Sequence, residues 1–354
     1  MRQTQPYPAP RRAARNLLWG LVLITSLILA SCGTASANED PGSVPTLQPP
    51  PTLPLESPTP FPTGQPSITT TPGANPTTTA TTTTAPTTTA TAPTTATTAT
   101  ATPTITGPVG QTGNWKLIFH DEFTGTSLDT SKWATCYFNF QVGNNTCDHD
   151  QGELELYQPS NISANNGTLT LQAKKGDVAA SNSQTFHYTS GMITTGPSAQ
   201  GAPATFTFTY GYMEMRAKIP AGQGFWPAFW TLPANKSWPP EIDVFEILGN
   251  QPNVINMHYH YPNGSSNGGD SGGEWTGPDL SADWHTYAVD WEPGSITWYV
   301  DGVARRHYTD ANVTSQPMFL VANLAVGGDW PGPPNASTPF PGLFQIDYIR
   351  VWQK

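Results

Sequence analysis

In the C-terminal part of the chain, apolar and polar positions alternate in short runs: Leu169 to Lys174, Tyr212 to Ile219, Ile296 to Val300 and Phe344 to Trp352. Each run is bounded by Gly, Pro, Asn or Asp, and a period of two marks a half-buried strand. Nowhere does an apolar period of about 3.6 residues persist over a dozen positions, so helices should be few and short. Asp301-Gly302, directly after Ile296 to Val300, reads as a hairpin turn. The predicted class is all-β, a sandwich of two antiparallel sheets. Such a sandwich buries one face of each sheet and leaves another free to curve into a groove for a long polymer.

One run breaks the alternation. Pro240-Glu241-Ile242-Asp243-Val244-Phe245-Glu246-Ile247-Leu248 is apolar apart from three acids, and charge in a covered strand is costly unless it has a task. Glu241 and Asp243 share one strand face, whereas Glu246 falls out of phase by one residue unless a β-bulge absorbs the extra position. With a bulge, three carboxyls meet on one wall. Like charges then raise one another's proton affinity, and one carboxyl stays protonated near neutral pH. A protonated and an ionised carboxyl side by side is what a retaining glycosidase uses. One attacks the anomeric carbon; the other donates to the leaving oxygen and later activates water, at a separation of about 5 to 5.5 Å. A solvated face with scattered acids would not be flanked by Ile, Val, Phe and Leu.

Composition divides the 354 residues into three segments. Arg2, Arg11, Arg12 and Arg15 precede an apolar stretch from Leu17 to Ala30 that is short for a membrane span of about 20 residues and reads as a secretory signal, residues 1–31. Leu29-Ala30-Ser31-Cys32-Gly33 resembles the lipobox of bacterial lipoproteins, which implies lipid on Cys32 and an extracellular protein anchored to the outer face of the cell membrane. The segment 32–113 holds no Lys or Arg and is almost wholly Thr, Pro, Ala, Gly and Ser. No apolar face there can offset the entropy of folding, so it is expected to be a disordered linker. The folded domain is expected over Asn114 to Lys354.

That domain carries more acids than bases, which disfavours nucleic acid as a partner. With Cys32 assigned to lipid, Cys136 and Cys147 remain as a close pair in an exported chain, expected to form a disulfide, with two free thiols as the alternative. No His and Cys cluster shows metal-ligand spacing, so zinc is not indicated.

With these residues in hand, the chain from Trp115 to Gln353 resembles glycoside hydrolase family 16. Its bulged, laminarinase-like branches carry E-x-D-x-x-E, matched by Glu241, Asp243 and Glu246. Further matching stretches are Phe119 to Phe123, Tyr188 to Gly191, Gly211 to Pro220, Gly224 to Trp230, Asn323 to Gly328 and Asp347 to Trp352. The resemblance implies a concanavalin-like β-jelly roll with a substrate cleft on its concave face. It implies Glu241 as nucleophile, Glu246 as acid/base and Asp243 as their helper. Asp243 would act either by a hydrogen bond to Glu241 or by its charge on Glu246.

Trp226, Trp230, His260, Trp330 and Asn323 are the expected substrate contacts, with core packing as the alternative for the tryptophans and a structural role for the histidine; His258 shares the strand face of His260. The resemblance also implies a structural calcium near Glu122, Gly167 and Asp347, with Asp347 the one side-chain ligand. The expected activity is endo-β-1,3-glucanase or β-1,3-1,4-glucanase, acting as a monomer on a β-glucan with no cofactor for catalysis. Galactan hydrolase, transglycosylase and noncatalytic surface lectin are the alternatives.

Overall fold

The computed structural model describes residues 105–137, 141–143, 146–148, 152–199, 201–265 and 268–354. The expected signal, Cys32 and the linker up to residue 104 lie outside the described residues. Alternation of inward and outward side chains produces two sheets, one of twelve strands and one of seven. The smaller sheet runs Gly269–Asp270, Val254–Tyr261, Glu241–Glu246, Phe225–Pro233, Met318–Val326 and Met192–Thr194, with Gly273–Thr276 also paired to Val254–Tyr261. The larger is centred on Gly211–Lys218 and Gly342–Gln353. Each alternating run named from the sequence lies within a strand or overruns its end by one residue. The 3-10 turn Pro159–Asn161 is the one helical element among the described residues.

Asp301 and Gly302 both have positive φ, 51° and 72°, which suits the twist of a two-residue hairpin between Ser295–Val300 and Val303–Thr309. The antiparallel expectation needs one correction: Glu155–Tyr157 pairs parallel to Thr185–Ser190. The chain between them makes the longer crossover that a parallel neighbour requires. The linker expectation needs another. Residues 105–113 lie on the domain: Val109 N donates to Glu214 Oε2 at 3.0 Å, and Ile105 packs with Tyr212, Ala288 and Trp352. A Cβ on Gly110 would stand 2.8 Å from Gly302 O. This docking uses backbone contact, which composition does not record.

Between the sheets lies the main core. Phe229, Ile242, Phe245, Leu320 and Leu324 of the smaller sheet meet Met213, Met215, Val289, Trp291 and Ile346 of the larger, all with no exposed surface. Each side chain of this size contributes about 1.5 to 3 kcal/mol when fully buried. A second apolar cluster covers part of the other face of the smaller sheet: Cys136, Tyr137, Cys147, Tyr157, Ala228, Trp230, Phe319 and Val321. Cys136 and Cys147 are bonded to each other, as expected, and they pin the segment carrying Tyr137 against this face.

Candidate active site

The strand Glu241–Glu246 sits between Phe225–Pro233 and Val254–Tyr261. Against the first, Trp230 opposes Asp243, Phe229 opposes Phe245 and Ala228 opposes Glu246. Against the second, Asp243 opposes His258 and Glu246 opposes Asn256. Three steps along the acidic strand match two on each neighbour, which is the bulge the sequence called for. Val244 and Phe245 both enter the main core, and Glu246 returns to the face of Glu241 and Asp243. All three line one cleft of about 620 Å³.

Glu241 and Glu246 each have an indole donor. Trp238 Nε1 donates to Glu241 Oε2 at 2.8 Å, and Trp226 Nε1 donates to Glu246 Oε1 at 3.1 Å. Burial, then the charge of Glu241, pushes the Glu246 carboxyl up to about 7, against the opposing pull of His258, His260 and the Trp226 bond. Burial, then the charge of Glu246, holds Asp243 well above the usual carboxylate range; a hydrogen bond with Glu241 opposes this. Asp243 is 2% exposed, and its hydrogen bond with Glu241 ties the two carboxyls together in the cleft floor. The site contains a carboxylate held by an indole donor and, beside it, a carboxyl poised to lose its proton near neutrality.

His260 reaches the carboxyl group from the opposing strand, with Nε2 3.3 Å from Asp243 Oδ2 and 3.8 Å from Glu241 Oε1. Its direct contacts are with Asp243 and Glu241, and it also acts on Glu246. Trp226 and Trp330 meet edge to face at 5.3 Å on the cleft wall, and Trp330 is 44% exposed. Such faces suit the apolar faces of sugar rings. Trp230 and Asn323 instead form floor. Trp230 Nε1 donates to Asn323 Oδ1 at 2.8 Å, and Asn323 Nδ2 donates to Tyr157 Oη at 2.9 Å. The Asn323 amide is thus engaged on both ends inside the protein.

Sequence reasoning missed Trp238, Tyr137, Glu153, Lys236 and Asp270, which also line the cleft. Trp238 lies three residues before Glu241, and that proximity was the available signal. The others arrive from segments without alternation or from the far side of a turn.

At the expected calcium position, a Cβ on Gly167 would lie 3.9 Å from Glu122 O, so these two backbone segments are neighbours. The carboxylates there are engaged by cations: Asp347 Oδ2 accepts from Arg216 Nη1 at 2.7 Å, and Glu122 accepts from Arg350 at 2.9 and 2.6 Å. A guanidinium on the one expected side-chain ligand does not fit a hard cation as the donor set stands.

Comparison with known proteins identifies the family. Residues 150–350 match the model of glycosyl hydrolases family 16. The chain is 34% identical over 270 residues to glucan endo-1,3-beta-glucosidase A1 of Niallia circulans, covering 67% of this chain and 38% of that relative. It is 30% identical over 264 residues to a beta-glucanase of Rhodothermus marinus, covering 68% of this chain and 86% of the relative. Among solved structures, the laminarinase catalytic domain from Thermotoga maritima MSB8 superposes with a TM-score of 0.59 at 33% identity, covering 68% of this chain and 99% of that one. The chain spans roughly two-fifths of the length of several curated relatives it matches. Fold, bulged carboxylate strand and family match converge: the chain belongs to glycosyl hydrolases family 16.

Proposed function

We propose that the protein is a retaining endo-hydrolase of β-glucans, acting on β-1,3 or mixed β-1,3-1,4 linkages, with Glu241 as nucleophile and Glu246 as acid/base. The observation that carries this reading is the bulge that returns Glu246 to the face of Glu241, with its carboxyl pushed up to about 7. Protonated Glu246 donates to the leaving glycosidic oxygen while the Glu241 carboxylate bonds to the anomeric carbon. Glu246, now ionised, takes a proton from water; the resulting hydroxide attacks the same carbon and releases Glu241. Trp238 donates to Glu241 and holds it ionised, Asp243 hydrogen-bonds with it and fixes its aim, and Trp226 with Trp330 offers ring faces to the sugars. Support for glucan comes from relatives named for β-1,3- and β-1,3-1,4-glucan cleavage.

The enzyme is proposed to act outside the cell as a monomer held to the membrane by lipid on Cys32, a reading that rests on Leu29 to Gly33. The structural calcium that the resemblance implies near Glu122, Gly167 and Asp347 is left out of this reading, because Arg216 engages Asp347.

The test is reducing-sugar release by the full chain from laminarin, lichenan, agarose, carrageenan and xyloglucan, with Glu241→Ala as control. Release from laminarin or lichenan by the wild type alone supports the reading. Release from agarose alone would move it to galactan, and binding without release on every polymer would move it to a lectin.

A further inference from the structure

The linear sequence gave no metal-ligand spacing, but the fold assembles one. His258 and His260 sit two apart on the strand Val254–Tyr261, so their imidazoles share a face, with centroids 5.7 Å apart and planes 10° from parallel. Asp270 comes from the adjoining strand, directly opposite His260. His258 Nδ1 lies 3.1 Å from Asp270 Oδ1, and His260 Nδ1 lies 3.7 Å from the same oxygen. Two ligands of one tetrahedral zinc, at about 2.0 to 2.1 Å from the metal, stand roughly 3.3 Å apart. One ligand atom from each of His258, His260 and Asp270 falls within 4.8 Å of the others.

A second observation concerns the backbone beside them. A Cβ built on Gly272 would lie 2.7 Å from His258 Nδ1 and 3.2 Å from Asp270 Oδ2. A side chain there would collide with His258, so the Gly272 backbone packs tightly against two of the ligand residues. Arg306 braces the segment that follows Asp270, donating from Nη2 to Ser271 Oγ at 2.8 Å and to Gly272 O at 3.2 Å. Its charge offsets that of Asp270, so the site relies on imidazole nitrogen more than on carboxylate oxygen. That donor set selects borderline metals over calcium or magnesium.

We infer that His258, His260 and Asp270 form a binding site for a borderline divalent cation of the zinc type at the rim of the cleft, with the Gly272 backbone packed against two of the ligands. With Nδ1 on the metal, His260 carries its proton on Nε2, the atom facing Asp243 and Glu241. The ion thereby ties the rim to the carboxylates and inhibits hydrolysis. That consequence rests on the proposed function; the binding does not.

The test is calorimetric titration of the full chain with zinc chloride, for wild type, His258→Ala, Gly272→Ala and Glu241→Gln, with circular dichroism to verify folding. The expected result is one saturable zinc site in wild type and in Glu241→Gln. Binding should weaken about tenfold or more in His258→Ala and in Gly272→Ala. Three results would overturn the inference: no saturable site in wild type, unchanged affinity in folded His258→Ala, or loss of binding in Glu241→Gln with retention in His258→Ala. The last would place the metal on Glu241, Asp243 and His260 instead.

Discussion

The indole N–H of Trp238 meets Glu241 Oε2 at 2.8 Å, and it comes from the segment entering the strand, not from the sheet face that carries the other cleft residues. A donor fixed on the attacking carboxylate holds it ionised and oriented. Hydrogen bonds to charged groups are worth about 1.5 to 3 kcal/mol, but Trp238 is 48% exposed and water replaces part of what it gives. Trp238→Phe should therefore lower kcat on laminarin by about tenfold, the lower end of that range. An unchanged kcat would show that the contact has no catalytic consequence.

Glu246 sets the alkaline limit. Its carboxyl loses its proton at about 7, so kcat/KM should fall above that pH as the acid form disappears. The Trp226 bond stabilises the ionised form; removing it in Trp226→Phe should move the alkaline limb to higher pH. A pH profile of kcat/KM for both proteins checks this, and a limb that stays in place or moves lower would contradict it.

Asp243 should cost stability as well as aid catalysis. Its folded-state proton affinity is raised, by burial first, above the ordinary value of 3.8. The folded protein therefore binds a proton that the unfolded chain releases as pH rises through that value. Stability conferred by this group is full below the unfolded value and is lost as pH rises toward the folded one. Asp243→Asn removes the titration and keeps a side chain that can hydrogen-bond with Glu241. Its Tm should match wild type in acid and exceed it increasingly above about pH 4, with activity kept better than in Asp243→Ala. Thermal unfolding across pH, with hydrolysis rates for both variants, decides this.

The disulfide shapes the cleft through Tyr137. Cys136 and Cys147 belong to the cluster packed on the cleft side of the smaller sheet, beside the Trp230 and Asn323 floor. Replacing both by serine should lower stability by about 2 to 4 kcal/mol and raise KM more than it lowers kcat. Denaturant unfolding and steady-state kinetics report the two effects separately.

Glu241, Asp243 and Glu246 were legible because strand parity is arithmetic. Two acids in phase and one out of phase within a covered strand require a bulge, and the register contains it. The sandwich was legible from the same period. Asp270 was not, because it reaches His260 across a strand pairing that no local pattern encodes. Trp230 has the parity of Trp226 yet lies 7% exposed, since the disulfide cluster covers its half of the sheet and parity cannot see what lies above a face. Residues 105–113 read as linker by composition, but Val109 docks through a backbone N–H on Glu214.

The central claim is the division of labour between Glu241 and Glu246, and it is tested most directly by trapping the glycosyl-enzyme. The full chain would be incubated with an activated 2-deoxy-2-fluoro β-1,3-glucan oligosaccharide and the labelled peptide sequenced by mass spectrometry. The account predicts one sugar ester per chain, on Glu241, with labelling abolished in Glu241→Ala. An ester on Glu246, or turnover of natural glucan by Glu241→Ala at the wild-type rate, would contradict it.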